Sequence, residues 1–180
     1  MPAPNRAFIA LCFDLGDTLM IEETEVKDET ATTRSAELFP GTVEMLRTLK
    51  ARGYLLALVA DSRPLTPPNV LAQHGVLGLF DTLAISEVVG VSKPHPAIFR
   101  AALDTLGIVP ADYGRVAMVG NHLERDIAGA NRLGLVSIFY HANERRRTRP
   151  EDADETPDYT VHSAGELLAL IDRIESEPHL

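Results

Sequence analysis

The loop of residues 13–19 holds the polar side chains that are best placed to do chemistry. Residues 7–13 form a short continuous apolar run, which predicts a buried strand, and Asp14 ends it. In open α/β sheets, ligands bind beyond the carboxyl ends of the strands, so a carboxylate there is a candidate for catalysis or ligand binding. The alternative, from this loop alone, is that Asp14 only caps the turn that follows.

The elements that must position this loop alternate between strands and helices. Apolar runs predict strands at residues 7–13, 55–60, 80–86, 116–119, 136–140 and 159–161. Apolar spacing and helix-ending glycines predict helices at residues 42–53, 96–106, 123–133 and 164–174, with a short helix that ends near Gly75. This alternation implies an α/β fold, a three-layer sandwich with a mostly parallel, Rossmann-like sheet.

Length and composition narrow the class of protein. The chain has 180 residues, of which 45% are hydrophobic and 24% charged, as in ordinary soluble globular proteins. We expect one domain over residues 1–180, with residues 20–39 as a short flap or loop. The formal net charge of -9 argues against a nucleic-acid partner.

The cysteine content and the apolar segments bear on location. Cys12 is the single cysteine and lies in the first predicted strand, so we interpret it as a small core residue rather than a nucleophile. No intramolecular disulfide can form, which fits a reducing compartment. No targeting segment is evident, and the run 7–13 is too short to span a membrane. We therefore expect a cytoplasmic protein with no membrane partner.

The loop Phe-Asp-Leu-Gly-Asp-Thr-Leu at residues 13–19 resembles the first motif of the haloacid dehalogenase (HAD) superfamily, strand-Asp-x-Asp-x-Thr. The resemblance implies that Asp14 is the nucleophile that attacks phosphorus, and Thr18 matches as well. Gly16 stands where the family has a second Asp, which protonates the leaving group and later activates water. Asp17 lies one residue too late and could replace it only if the loop turned differently.

Two further family motifs have counterparts near the middle of the chain. The second motif ends a strand with a phosphate-binding Ser or Thr, but here Ala60 holds that position. Ser62 is then either a substitute phosphate ligand or a turn residue before a proline. The string Ser-Lys-Pro-His-Pro-Ala-Ile-Phe at residues 92–99 is the most specific match. It implies that Lys93 neutralises the nucleophile and the charge that develops on the phosphoryl group.

The fourth motif, a strand that ends in Gly-Asp with another acid nearby, resembles residues 119–130. Gly120 is expected beside the bound phosphate, and Asp126 matches the trailing acid. Asn121 replaces the first acid, but its amide oxygen can still ligate Mg²⁺. The resemblance thus implies a Mg²⁺ site formed by Asp14, Asp126, Asn121 and the carbonyl of Gly16, which should hold the ion less tightly than an all-acid set.

The connections between the motifs leave no room for the helical cap of many relatives, because only residues 20–39 lie between the first motif and Pro40. A capless site suits either a bulky phosphorylated substrate or coverage by a neighbouring subunit of a homo-oligomer. It disfavours dehalogenase chemistry, which occurs in enclosed sites. A basic run at residues 145–149 could recognise a second anionic group, but the acids of residues 151–155 favour a self-neutralising loop.

Two functional hypotheses follow. The first is a Mg²⁺-dependent phosphatase that works through an aspartyl-phosphate, acting on a phosphorylated small molecule or a bulkier phosphorylated substrate. The second is a catalytically weakened relative that binds a phosphorylated ligand or a protein partner. The second hypothesis is motivated by Gly16, Ala60 and Asn121, because the missing acid alone would lower the rate by about 10²–10⁴.

Overall fold

The computed structural model describes residues 6–177 and confirms the α/β fold. The strands are β1 (Ala10–Phe13), β2 (Val26–Lys27), β3 (Thr33–Ser35), β4 (Leu55–Ala60), β5 (Thr82–Ile85), β6 (Val116–Gly120), β7 (Val136–Tyr140) and β8 (Tyr159–Val161). The α-helices are α1 (Thr42–Ala51), α2 (Thr66–Gln73), α3 (Ser86–Val89), α4 (Pro96–Thr105), α5 (Ala128–Leu133) and α6 (Ala164–Ser176).

Six of the strands form one sheet in the order β5-β4-β1-β6-β7-β8, and every neighbouring pair is parallel. Apolar side chains cover both faces. Leu11 and Leu56 pack on one face with Leu46 of α1, whereas Cys12 and Phe99 of α4 share the core on the other face. Helices therefore cover the sheet on two sides, which explains why its strands are continuous apolar runs rather than alternating ones.

Burial raises the pKa of Cys12 to about 12, so its thiol stays neutral in the core. This agrees with its interpretation as a core residue. Within residues 6–177, no helix has the length and apolar character that crossing a membrane requires.

Several predicted boundaries shift. β1 begins at Ala10 rather than at residue 7, and β5 ends one residue early because Ser86 already begins α3. The helix predicted over residues 123–133 starts as a π-helical turn, Leu123–Ile127, and continues as α5. Its first turn is wide because the carbonyl of His122 accepts hydrogen bonds from the backbone amides of Asp126, at 2.9 Å, and Ile127, at 3.2 Å.

Residues 20–39, which we call the flap, contain a small antiparallel hairpin of β2 and β3. The flap is fastened to α2, since the amide of Thr33 donates to Oγ1 of Thr66 at 3.1 Å and Nδ2 of Asn69 donates to the Thr33 carbonyl at 2.9 Å. No large cap domain interrupts the chain between residues 6 and 177. The flap is therefore held beside the sheet by its contacts with α2.

Candidate active site

The sheet order places the predicted motifs side by side. β1 lies between β4 and β6, so the loops after these three strands meet at one edge of the sheet. A cavity of about 600 Å³ opens there. Asp14, Gly16, Ser62 and Lys93 all contribute to its wall, and the flap forms another part of the wall.

Lys93 is the centre of the site. Its Nζ lies 2.6 Å from Oδ1 of Asp14 and 2.6 Å from Oδ1 of Asp126, and it donates a 2.8 Å hydrogen bond to the carbonyl of Val59. Burial by itself lowers the pKa of Lys93, but the charges of Asp126 and Asp14 outweigh burial and the net pKa is raised. The lysine is therefore a fixed positive charge beside the nucleophile candidate.

The backbone of Lys93 is also held, because its amide donates to Oδ1 of Asp61 at 2.9 Å. Asp61 follows β4 directly and lines the cavity, with its other carboxylate oxygen 3.6 Å from Nη1 of Arg125. Sequence reasoning did not assign Asp61 a role. Asp61 comes directly after the buried strand β4, just as Asp14 comes directly after β1. This shared position is the signal that could have identified it.

Asp126 is fully buried, and its Oδ2 accepts a 2.9 Å hydrogen bond from the amide of His122. Burial raises the pKa of this carboxyl, while the charge of Lys93 opposes the shift. Gly120 makes room for it, because a Cβ atom at Gly120 would contact the Asp126 carboxylate. This packing accounts for the glycine, whose proposed contact with phosphate stays a prediction.

Asp14 is held by its neighbours on both sides. Its amide donates to the carbonyl of Val119 at 2.9 Å, which ties the loop to β6, and Oγ1 of Thr18 lies 3.4 Å from Oδ2 of Asp14. The matching residues of the first motif are thus adjacent in space. Asp17 is different, since it is buried with a φ of +51° and does not line the cavity.

The remaining predicted residues have less direct support. Asn121 is buried, and neither its amide oxygen nor its nitrogen has a hydrogen-bond partner within residues 6–177. Ser62 lines the cavity, but its hydroxyl donates to the carbonyl of Arg63 at 3.3 Å. The buried Ser86, whose Oγ accepts from the Ser62 amide at 3.0 Å, also lines the cavity and was not predicted.

The basic run turns partly toward the site. Arg147 pairs with an acid that follows it in the chain, as the self-neutralising interpretation predicts, because its Nη1 lies 2.7 Å from Oε2 of Glu155. Nη2 of Arg146 instead reaches Oε2 of Glu22 in the flap at 2.6 Å, and Arg146 lines the cavity. Glu22 is the third cavity residue that sequence reasoning missed, after Asp61 and Ser86, because the acidic stretch of the flap gave it no distinguishing local pattern.

The two histidines beside the motifs have local partners. Nδ1 of His95 accepts from the amide of Ala97 at 3.2 Å, which caps α4, and Nδ1 of His122 lies 3.2 Å from Oε1 of Glu124. His122 also contributes to the cavity wall. Within residues 6–177, neither histidine ring forms a hydrogen bond with the carboxylates of Asp14 or Asp126.

The fold and the site define an α/β protein with an aspartate at the central strand end, paired with a buried lysine from a distant loop. The chain belongs to the haloacid dehalogenase-like hydrolase family, whose model matches residues 5–134. This confirms the resemblance drawn from the motifs.

Curated relatives include phosphatases. The chain is 31% identical over 133 residues to a glyceraldehyde 3-phosphate phosphatase of Methanopyrus kandleri, covering 74% of this chain and 56% of the relative. It is 32% identical over 135 residues to a phosphoserine phosphatase of Thermus thermophilus, covering 75% and 51%. The chain therefore matches about half the length of these relatives.

Solved structures share the fold. A HAD phosphatase from Thermococcus onnurineus superposes with a TM-score of 0.74 at 20% identity, over 90% of this chain and 97% of that one. An L-2-haloacid dehalogenase from Xanthobacter autotrophicus gives 0.73 at 16% identity, over 92% and 98%. Since the two neighbours differ in chemistry, the shared fold alone does not distinguish phosphatase from dehalogenase activity.

Proposed function

We propose that this protein is a Mg²⁺-dependent phosphatase that works through an aspartyl-phosphate on Asp14. The observation that carries the proposal is the placement of Lys93, whose Nζ lies 2.6 Å from Asp14 and 2.6 Å from Asp126. An aspartate fixed beside a buried cation suits attack on an anionic phosphoryl group, because the cation offsets the repulsion between the two anions. The curated phosphatase relatives support the same chemistry.

The proposed reaction has two steps. A carboxylate oxygen of Asp14 attacks phosphorus, and the bond to the leaving oxygen breaks with its electron pair going to that oxygen. Water then attacks the phosphorus of the aspartyl-phosphate, and the electron pair of the broken bond returns to Asp14. Lys93 stabilises negative charge in both steps, and Thr18, 3.4 Å from Oδ2 of Asp14, orients the carboxylate.

The residues present fit a Mg²⁺ ion as a set of oxygen ligands. The amide oxygen of Asn121 is buried without a hydrogen-bond partner, which is a costly arrangement that a cation would relieve. Asp14, Asp126 and the Gly16 carbonyl would complete the protein ligands. Among residues 6–177, no group of three or more His, Cys, Asp and Glu side chains could hold a metal. The proposed set thus depends on an amide and a carbonyl, and when bound the ion would neutralise phosphoryl charge.

The substrate class we propose is a small phosphorylated molecule. A cavity of about 600 Å³ lies within the range of small-ligand sites, roughly 300–1,000 Å³. The named relatives act on glyceraldehyde 3-phosphate and phosphoserine, which are compatible with such a volume. A bulky phosphorylated substrate or a homo-oligomeric partner that covers the open side is the alternative.

We also propose that the protein is cytoplasmic and has no nucleic-acid partner. The single buried cysteine supports the proposed location, and the net charge of -9 argues against binding to nucleic acid.

A second candidate function is the binding of a phosphorylated ligand without efficient turnover. Two residues favour this function. Ala60 lines the cavity at the position where the second family motif has a hydroxyl side chain, and Asn121 is neutral where the fourth motif has an acid. Ala60 removes a hydroxyl from the predicted phosphate position, and Asn121 removes a negative charge from the predicted metal position. Under this alternative, Lys93 and the arginines of the cavity wall would still attract the ligand.

Turnover of an aryl phosphate with Mg²⁺ separates the two candidates. We expect the unmodified protein to release phosphate and the Asp14→Asn variant to lose this activity, because the amide is a poor nucleophile. Asp172→Asn is a matched control, since this aspartate pairs with Arg52 on the exterior. No phosphate release from the unmodified protein, with retained ligand binding, would favour the binding function.

A further inference from the structure

The flap brings a carboxylate to the place where Gly16 has no side chain. A Cβ atom added to Gly16 would contact Oε1 of Glu22, and it would lie 3.1 Å from Cγ and Cδ of the same residue. The φ of Gly16 is outside the left-handed region, so its backbone does not require glycine. The glycine leaves the space that the Glu22 side chain occupies, and Glu22 lines the cavity together with Asp14.

Glu22 is held in this place by three contacts. Its amide donates a 3.0 Å hydrogen bond to Oδ1 of Asp17, while Nη2 of Arg146 lies 2.6 Å and Nη2 of Arg145 lies 3.4 Å from its Oε2. The ion pairs engage Oε2, whereas Oε1 is the oxygen next to Gly16. One oxygen of the carboxylate is therefore anchored and the other faces the position of the absent side chain.

Asp17 cannot take the same role in this loop conformation. Its Oδ1 accepts from the amide of Glu22, and its Oδ2 lies 3.3 Å from Nε of Arg145. Asp17 is 1% exposed and does not line the cavity. It acts as a positioning residue that fixes the start of the flap, and the late position of this acid in the motif is explained by that contact.

The carboxylates that the flap hairpin and the end of β4 bring to the cavity wall are engaged elsewhere. Oε1 of Glu25 accepts from Oγ1 of Thr33 at 2.6 Å, which belongs to the hairpin of the flap. Asp61 accepts from the amide of Lys93 at 2.9 Å. Of these flap and strand-end acids, Glu22 is the one whose oxygen lies against Gly16.

We propose that Glu22 is the general acid and base of this site, supplied by the flap in place of a second aspartate in the first loop. The inference rests on the proposed phosphatase function. In the first step, Glu22 is protonated on Oε1 and gives that proton to the leaving oxygen as its bond to phosphorus breaks, which leaves a carboxylate that Arg146 and Arg145 stabilise. In the second step, Glu22 takes a proton from the attacking water while the bond between phosphorus and Asp14 breaks. The proton lost in the first step is thus regained in the second.

The basic run then has a role in this chemistry. Arg146 lies in the segment after β7 and binds Glu22 in the flap. The contact joins two segments that are 124 positions apart in the chain. It is a positioning residue rather than a group that touches the reacting atoms. Removal of Arg146 should therefore act through Glu22 and have little further effect in a protein that already lacks the Glu22 carboxylate.

The experiment compares Glu22→Gln with Glu23→Gln, an exposed neighbour in the same turn. The amide cannot take the proton of water, so we expect Glu22→Gln to lower steady-state turnover by about 10²–10⁴ and to accumulate the aspartyl-phosphate. The loss should be larger for an alkyl phosphate than for an aryl phosphate, because the aryl oxygen leaves with little protonation. Glu23→Gln should match the unmodified protein in both measurements.

A rescue variant guards against simple misfolding. Gly16→Asp alone would meet Glu22, whereas the double variant G16D/E22A moves the carboxylate to residue 16 and removes the contact. We expect the turnover of the double variant to exceed that of Glu22→Ala by about tenfold or more. This factor lies below the full contribution of a general acid and base, about 10²–10⁴.

The outcomes separate this inference from the proposed function. Normal turnover and no added phosphoenzyme in Glu22→Gln, with activity still dependent on Asp14, would overturn the role of Glu22 and leave the phosphatase intact. Failure of G16D/E22A to exceed Glu22→Ala, when both variants unfold at similar temperatures, would also count against it. A protein that never forms an aspartyl-phosphate would overturn both proposals.

Discussion

Nζ of Lys93 lies 2.6 Å from Oδ1 of Asp14, a residue 79 positions earlier in the chain. The same nitrogen lies 2.6 Å from Asp126, so one buried cation is shared between two carboxylates. This sharing leaves the cluster with a net negative charge when all three groups are ionised. The arrangement is therefore suited to a further cation as well as to an anionic phosphoryl group.

Replacement of Lys93 by Met should affect both activity and stability. The change leaves Asp14 and Asp126 near each other without their shared cation, and breaking a buried ion pair costs about 3–5 kcal/mol. We expect a lower free energy of unfolding in urea and a loss of turnover of about 10²–10³.

Lys50→Met is the matched control for Lys93, because Lys50 pairs with Asp81 at 2.6 Å near the surface. Partly exposed pairs contribute about 0.2–1 kcal/mol, so this variant should keep its turnover and most of its stability. Equal effects of the two substitutions would contradict the special position of Lys93.

Gly120→Ala tests the packing of Asp126. A Cβ atom at residue 120 would overlap the Asp126 carboxylate, so the carboxylate must move or the strand must shift. We expect a loss of about 1–3 kcal/mol in the free energy of unfolding. Gly114→Ala serves as the control, since a Cβ atom there meets no atom within 4 Å. An unaltered melting temperature for Gly120→Ala would mean that the carboxylate is placed elsewhere.

Asn121 allows the metal site to be tested without any substrate. Asn121→Asp adds a negative charge at a proposed oxygen ligand, and charge count tunes the affinity of such sites. We expect the dissociation constant for Mg²⁺, measured by calorimetry, to fall about tenfold. Asn121→Leu should weaken binding. If all three proteins bind Mg²⁺ equally, Asn121 is not a ligand.

The sheet and the charged cluster could be predicted from the sequence for a physical reason. Strands that are buried on both faces, such as β4 and β6, appear as uninterrupted apolar runs, and their order places the following loops at one edge. Asp14 and Lys93 were found because each belongs to a motif with local spacing. The match of the family model to residues 5–134 confirms the family resemblance, and the roles of the two residues stay predictions.

The flap and its contacts were less accessible. Its hairpin is short, and its exposed residues Val26 and Lys27 give no alternating pattern. The role inferred for Glu22 depends on Arg146, which lies 124 positions away, so no local rule could link them. The signal that could have pointed to Glu22 is indirect, namely a glycine at a motif position together with an acid a few residues later.

The role of Asp14 is tested most directly by identifying the residue that carries the phosphoryl group. The protein is mixed with an aryl phosphate and Mg²⁺, quenched in acid and digested, and the peptides are analysed by mass spectrometry, with Glu22→Gln used to raise the yield of the intermediate. We predict one added phosphoryl group on the peptide that contains Asp14, and none in Asp14→Asn. A phosphoryl group on another residue, or full turnover by Asp14→Asn, would contradict the assignment of Asp14 as the nucleophile.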